Sequence, residues 1–250
     1  MANESPSHRA TYQGKADAFL REFRRWLEER LYDHLEVTHQ GVTEPVKQTL
    51  PALGLAPSRD LAEILDGVAA AKLAPIFADR YPEYPAFTRL GTPVTEQARP
   101  TTAREAVGAI GGRPWSAQAT AVLEGLKLAD AERRLRPEES PYGKHFLALL
   151  EAKDPNQVVN FGEVLTKVAD GVSGPIFRDP RFGLEPEWVA VVLAALAQAG
   201  AISLTLDGRE AIEAGNIEKA AATPIEALAD FRFFKRPKGL PRQLWERIFE

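Results

Sequence analysis

The sequence predicts a mainly α-helical fold with a small β component, in which a helical subdomain precedes a winged-helix-like subdomain. In the first half, apolar residues recur at three- and four-residue steps, which places them on one face of a helix. In the second half, Ser140-Pro141 is a helix-start signal and Asp207-Gly208 is a hairpin-turn signal. We assign residues 1–135 to the helical subdomain and residues 136–250 to the winged-helix-like subdomain.

The longest helix of the first half is predicted at residues 16–35. Its apolar face comprises Phe19, Leu20, Phe23, Leu27, Leu31 and Leu35. A second helix is expected to end near Leu73, because Pro75 lacks the backbone N–H that a helix interior needs. Thr102 and Glu105 have the spacing of a capping box, so they predict the start of a further short helix.

The second half has the element order of a winged helix, which is helix, short strand, helix, helix and hairpin. The predicted elements are a helix from Ser140, a strand at 157–160, a helix at 161–169, a helix from 186 to about 198, and a hairpin strand at 201–206. The charged, proline-containing segment 129–139 is the predicted join between the two subdomains.

Composition excludes several classes of protein. The 250 residues are 44% hydrophobic and 26% charged, and no apolar run is long enough to cross a bilayer. The amino end has no secretory signal, so we expect a cytoplasmic protein with no membrane partner. With no cysteine, the chain has no disulfide and no thiolate metal site. A net charge of −4 gives no general attraction to nucleic acid.

No pattern in the sequence indicates a catalytic site. The glycine-lysine pairs at Gly14 and Gly143 lack the remaining residues of a phosphate-binding loop. The four histidines lack the four-residue spacing that places two imidazoles on one helix face. Gly171-Val-Ser-Gly174 is one residue shorter than a nucleophile elbow. We therefore predict that the chain is not an enzyme and that it binds no cofactor and no metal.

Nucleic-acid binding is the main alternative, and two segments bear on it. The third helix of the winged-helix pattern, residues 188–198, has no Arg, Lys or Asn to contact bases, so we expect it to be buried. A basic cluster near the carboxyl end interleaves with aromatic residues, which suits phosphates and stacked bases, but the same spacing also anchors a tail to its own core. The candidate nucleic-acid-binding residues are Arg232, Lys235, Arg236, Lys238 and Arg242.

Four stretches of sequence carry a resemblance to a known family. They are Tyr81-Pro-Glu-Tyr-Pro-Ala-Phe, Ser140-Pro-Tyr-Gly-Lys-His, residues 182–196, and Phe231-Arg-Phe-Phe-Lys-Arg-Pro-Lys. Together they resemble the PglY/BrxC ATPases of bacterial BREX phage-defence systems. The resemblance implies a long cytoplasmic ATPase polypeptide that acts with a methyltransferase and other defence proteins. Because the phosphate-binding loop of that family is missing here, the ATPase role transfers to no residue of this chain.

The function expected from these observations is a non-catalytic interaction module of a BREX phage-defence ATPase that mediates protein assembly. Its expected partners are other phage-defence proteins or the rest of its own ATPase chain. The alternative is a winged-helix module that binds DNA through the basic carboxyl-terminal segment. The chain is expected to be a fragment or isolated domain of a longer protein.

Overall fold

The computed structural model describes residues 6–51, 61–90, 94–167, 174–208 and 210–237. It divides into two compact units, Met1–Asp79 and Arg80–Glu250. The described part is mostly helical with small antiparallel sheets, as the sequence predicts. None of the described helices is both long and apolar enough to cross a membrane.

The first unit contains helices α1 (Pro6–His34), α2 (Val46–Thr49) and α3 (Leu61–Arg80) and strands β1 (Glu36–His39) and β2 (Val42–Pro45). The strands form an antiparallel hairpin around Gln40 and Gly41, both of which have positive φ. A small core of buried side chains consists of Val46, Leu50, Ile64 and Val68, with Leu35 and Val37 packed against it.

The prediction that the second helix ends near Leu73 is wrong. Helix α3 continues through Pro75 to Arg80. The proline removes one backbone donor, but the carbonyl that loses its partner belongs to Ala71, which is partly exposed, so water can satisfy it.

The second unit begins with four helices, two before and two after the segment 129–139 that the sequence predicts as the join between subdomains. They are α4 (Arg99–Ile110), α5 (Ala117–Gly125), α6 (Pro141–Glu151) and α7 (Phe161–Val164). Helix α4 starts three residues before Thr102, whose hydroxyl donates to the carbonyl of Ala98 at 2.9 Å. The capping-box interpretation of Thr102 is therefore wrong, because its side chain bonds back along the helix rather than capping it.

The rest of the second unit contains α8 (Pro186–Gln198), α9 (Glu218–Ala222), α10 (Ile225–Ala229), and strands β3 (Val159–Asn160), β4 (Leu165–Thr166), β5 (Ile176–Phe177), β6 (Ser203–Thr205) and β7 (Phe233–Lys235). The predicted helix at 161–169 is wrong beyond its first turn. Leu165 is extended, and it pairs with Phe177 in the β4–β5 hairpin. Residues 168–173 lie outside the described part of the chain.

The winged-helix order is present with two additions, which are the β4–β5 hairpin between α7 and α8 and the helices α9 and α10 before the last strand. Strands pair antiparallel in the order β3-β7-β6, so the central strand comes from the end of the chain. The predicted return strand of the hairpin makes a single bridge, from Ile212 to Leu204. Helices α9 and α10 then intervene before β7 takes the central position.

Residue 135, where the sequence places the subdomain join, lies inside the second unit. The charged segment there folds back on itself through a bridge between Ala129 and Leu135. The Asp130 carboxylate accepts bonds from the backbone N–H of Arg134 at 2.9 Å and from its side chain at 2.8 Å. Ser140, the predicted N-cap, also donates to the Leu126 carbonyl at 2.8 Å, which ties α6 to the end of α5.

The core of the second unit is built around α8. Its ten residues from Trp188 to Ala197 are all buried, and the helix packs against α4, α6, α10 and β6. The Trp188 ring lies 4.8 Å from that of Phe87, in the proline-rich segment that the sequence predicts to lack regular structure. Gly200, with φ of +74°, ends the helix as predicted.

Candidate functional site

The burial of α8 decides whether the third helix of the winged-helix pattern can contact DNA bases. Val189, Val192 and Ala195 are each 0% exposed, so the helix presents no surface on which a DNA groove could lie. The prediction that the third helix of the winged-helix pattern is buried is confirmed. Base reading through this helix, the usual mode of a winged helix, is therefore not available to this fold.

The aromatic residues of the basic carboxyl-terminal segment anchor it to the core. Phe231 and Phe234 are buried, and Phe234 meets the ring of Phe146 edge-on at 6.0 Å between centroids. Phe231 lies 5.4 Å from Phe161. Phe231 and Phe234 therefore hold β7 in place and are not free to stack on a base.

Arg236 has a structural role at the end of α6. Its two terminal nitrogens donate to the carbonyl oxygens of Leu150 at 2.8 Å, Lys153 at 2.9 Å and Asp154 at 2.9 Å. These carbonyls lie at a helix carboxyl end, where backbone acceptors lack partners and a positive charge is favourable. The guanidinium is thus used inside the protein, although the sequence groups Arg236 with the candidate nucleic-acid ligands.

We predict that Arg236→Ala lowers the free energy of unfolding by about 2–3 kcal/mol, because three carbonyls lose a charged donor. Lys235→Ala, at the neighbouring cation that ends β7, is the matched control and should cost less than about 1 kcal/mol. Urea denaturation followed by circular dichroism measures both values. Equal stability of the two variants would show that Arg236 does not hold the end of α6.

Arg232 and Lys235 are the two candidate ligands that the structure brings together. They flank the half-buried ring of Phe233, with charged atoms 6.0 Å and 5.9 Å from its centroid. Arg232 is largely exposed, and its Nε lies 3.8 Å from a carboxylate oxygen of Asp207. Lys238 and Arg242 lie outside the described residues. The described part of the cluster is therefore one aromatic ring between two cations.

A partly buried polar cluster lies at the start of α8, where the sequence indicates only acids at a helix start. The Tyr84 hydroxyl donates to Glu185 at 3.0 Å, and Arg99 pairs with Glu187 at 3.0 Å and with Glu185 at 3.4 Å. Burial raises the pKa of the Glu185 carboxyl, although Arg99 and the Tyr84 hydroxyl oppose the shift. Burial and the nearby Glu185 charge also raise the pKa of Tyr84.

This cluster predicts a pH dependence of stability. Since the pKa of Glu185 is higher in the folded chain than in the unfolded chain, its contribution is fully present below the unfolded value, about 4.3, and is lost as pH rises through the folded value. Glu185→Gln keeps an acceptor for Tyr84 but cannot ionise. We expect the stability of this variant relative to the unaltered chain to improve between pH 4 and pH 7.

Thermal unfolding at several pH values tests this expectation. Glu218→Gln removes an exposed carboxylate of the same unit and serves as the control. A difference between Glu185→Gln and the unaltered chain that stays constant with pH would contradict the raised pKa.

His145 is a second titratable side chain in an aromatic environment. Its Nδ1 lies 3.4 Å from Asp179, and the rings of Phe177 and Phe182 are within 5.6 Å and 5.4 Å. Burial lowers the pKa of this imidazole. No group of three or more metal-ligating side chains occurs among the residues that the structure describes.

The most distinctive exposed feature is an aromatic stripe along α1, which we define as Tyr12, Phe19, Phe23 and Trp26. These side chains are 68%, 68%, 48% and 52% exposed. Adjacent rings are stacked, with centroids 6.4 Å apart for Phe19 and Phe23 and 6.2 Å apart for Phe23 and Trp26. Leu20 lies beside them and is 61% exposed.

The sequence predicts this helix and part of its apolar face, but it does not predict that the face is exposed. An amphipathic pattern usually marks the side of a helix that packs on a core. Here α1 places six large apolar side chains in solvent, whereas the core of its unit is formed by α2, α3 and the neighbouring hairpin. The seven-residue spacing of Tyr12, Phe19 and Trp26, which is typical of helix pairing, is the signal that could have indicated it.

A family model covers more than half of the chain. Residues 99–236 match the model described as a family of unknown function (DUF6079), 4th domain. The chain belongs to the DUF6079 family. Residues 1–81 match the DUF6079 third domain, whose end lies close to the end of the first compact unit at Asp79. The fourth DUF6079 domain begins at the first residue of α4 and ends at Arg236, the side chain that caps α6.

No curated protein and no solved structure matches this DUF6079 chain.

Proposed function

We propose that this chain is a non-catalytic interaction module of a BREX-type phage-defence ATPase, and that it mediates protein assembly in the cytoplasm. The aromatic stripe of α1 is the single observation that carries the proposal. The partners proposed for the chain are the rest of its own ATPase polypeptide and other proteins of the defence system. The BREX assignment itself rests on the sequence resemblance given above.

The energetic argument concerns the cost of leaving the stripe in water. Each aromatic side chain can bury roughly 150–250 Å², and each Å² of apolar surface removed from water contributes about 25 cal/mol. Four rings that are about half exposed therefore hold about 10 kcal/mol of unused burial before the entropic costs of association. Contiguous exposed apolar surface of this kind is typical of a protein-binding site.

The balance of charge on α1 supports a protein as the partner. Between residues 12 and 30 the helix carries five basic and four acidic side chains. A helix that binds an anionic membrane or nucleic acid carries a clear excess of Lys and Arg. The near-neutral helix lacks this excess, which favours a protein surface.

Phage restriction by a bacterium that carries the complete defence system tests the proposal. Phe23→Ser with Trp26→Ser in the full-length protein is expected to abolish restriction and to weaken assembly of the system, with the helical content unchanged. Asp17→Ser with Arg21→Ser, exposed positions away from the stripe on the same helix, should restrict phage normally. Restriction by the stripe variant at the unaltered level, or ATP hydrolysis by the purified 250-residue chain, would overturn the proposal.

Nucleic-acid binding by the carboxyl-terminal segment is a second candidate, which the position of Phe233 between Arg232 and Lys235 favours. Duplex and single-stranded DNA are titrated at two salt concentrations against the chain and against Arg232→Ala with Lys235→Ala. Binding through these cations should weaken with salt and weaken further in the variant. Arg236 is left unaltered because it caps α6. Equal binding by both proteins would exclude this candidate.

A further inference from the structure

We infer that the occupant of the aromatic stripe is a second copy of this chain, with the two α1 helices packed antiparallel. The inference rests on the proposed function, in that the stripe must be an interaction surface. It goes further by assigning the partner, the direction of the helices and their register. The spacing of side chains along α1 carries the argument.

The stripe follows a heptad repeat. One row of positions is Tyr12, Phe19 and Trp26, and a second row, four residues further along in each heptad, is Ala16, Phe23 and Arg30. Two rows with this spacing form the a and d positions at which paired helices meet. The side chains of both rows are exposed, from Tyr12 to Arg30. The two rows therefore form an exposed seam that runs along about five turns of α1.

An antiparallel pair makes the two rows complementary in size and chemistry. When Phe23 of one copy faces Phe19 of the other, the same register places the small Ala16 opposite the large Trp26. It also places Arg30 opposite Tyr12, and a guanidinium over an aromatic ring is a favourable contact. Arg30 already lies 5.8 Å from the ring of Trp26 within its own helix. In this register each of the outer layers pairs one large ring with a smaller or charged side chain, so that two large rings do not clash there.

The charges beside the seam agree with the same register. The positions that flank it on one side are Lys15, Glu22 and Glu29. An antiparallel pair places Lys15 of each copy next to Glu29 of the other, and these two attractive pairs outnumber the single like-charge contact between the two Glu22 side chains at the centre. A parallel pair would instead place Arg30 against Arg30 and Trp26 against Trp26. Two like charges and two large rings at the same level disfavour that alternative. Antiparallel packing is thus the arrangement that the side chains favour.

The area of the seam predicts a weak dimer. The four half-exposed rings and the neighbouring leucines of two copies would bury roughly 1,000 Å² in total, using about 150–250 Å² for a whole aromatic side chain. Specific interfaces begin near about 1,000 Å². An interface of this size is typical of weak or transient association, and a multidomain assembly can raise its occupancy through a high local concentration.

Sedimentation equilibrium of the full 250-residue chain between 1 and 200 µM tests the inference. We expect a reversible monomer–dimer equilibrium. Ala16→Trp should weaken dimerisation at least about tenfold, since two tryptophans would then compete for one layer, and Trp26→Ala should weaken it similarly by leaving a gap. The double variant Ala16→Trp with Trp26→Ala exchanges the two sides of the layer and should restore dimerisation.

A charge exchange supplies an independent readout of the register. Lys15→Glu should weaken the dimer at low salt, and Lys15→Glu with Glu29→Lys should restore it. Failure of both double variants to restore association would overturn the antiparallel register. A chain that is monomeric at 200 µM, or that instead co-sediments with vesicles of anionic phospholipid, would overturn the second-copy inference. The phage-restriction assay with the stripe variant judges the proposed function separately from these results.

Discussion

Gly143→Ala is expected to lower the free energy of unfolding of the second unit by about 3 kcal/mol or more, which is the upper end for an overpacked site. A Cβ built at Gly143 would lie 1.9 Å from the carbonyl oxygen of Pro137 and 3.6 Å from a methyl group of Leu196. The nearest obstacle is backbone, which cannot rotate away as a long side chain can. Helix α6 would have to move away from the loop that precedes it.

A glycine in open surroundings separates this effect from helix propensity. Gly162, in α7, has no atom within 4 Å of the position that a Cβ would take. Gly162→Ala should therefore be neutral or stabilising by up to about 1 kcal/mol, as expected for alanine in a helix. Urea denaturation of both variants gives the comparison. If Gly143→Ala unfolds at the same urea concentration as Gly162→Ala, the close approach of α6 to Pro137 does not exist.

The Gly143 contact illustrates what local sequence reasoning can and cannot predict. Ser140 and Pro141 predict the start of α6 correctly, because capping depends on residues that are neighbours in sequence. The same pattern leaves Gly143 without a structural explanation, because nothing in the residues around it indicates a close approach of another part of the chain. A glycine is needed at this position because the preceding loop brings the Pro137 carbonyl close to it, and the periodicity of the helix carries no information about the path of that loop.

The small sheet shows the same limit over a longer distance. The alternation at residues 201–206 and the Asp207-Gly208 turn predict β6 correctly, but the expected return strand is only one bridge long. The central strand is Phe233–Lys235, which pairs with both β3 and β6 after two intervening helices. Because those residues are basic and aromatic, the sequence suggests a surface for nucleic acid. The pairing places Phe234 in the core and leaves Phe233 and Lys235 partly exposed.

The sequence predicts the aromatic stripe of α1 only in part, and the reason differs from the one that applies to the sheet. Hydrophobic periodicity identifies a helix and one of its faces, but it does not state whether that face meets the protein's own core or another molecule. Phe19 and Phe23 were placed on one face correctly. Their exposure follows from the remaining packing of the first unit, where Ile64 and Val68 of α3 meet Val46 of α2.

Val192→Lys is expected to lower the free energy of unfolding of the second unit by more than about 4 kcal/mol, because it buries an unpaired charge. Val192 is 0% exposed, at the middle of a helix whose neighbours from Trp188 to Ala197 are all buried. A lysine at this position could not extend along α8 to reach water, because the residues on both sides of it in the helix are buried. We expect the second unit to lose its cooperative unfolding transition.

Gln198→Lys places the same side chain at the end of the same helix, where it is partly exposed. A cation at a helix carboxyl end is favourable by up to about 1 kcal/mol, so this control should keep the stability of the unaltered chain. Val192→Ala extends the test if the lysine variant does not fold, since loss of two methyl groups should cost about 2 kcal/mol. A folded Val192→Lys chain with unaltered stability would mean that α8 has a surface open to solvent. The helix would then be available to a nucleic-acid groove, and the argument against DNA reading through α8 would fail.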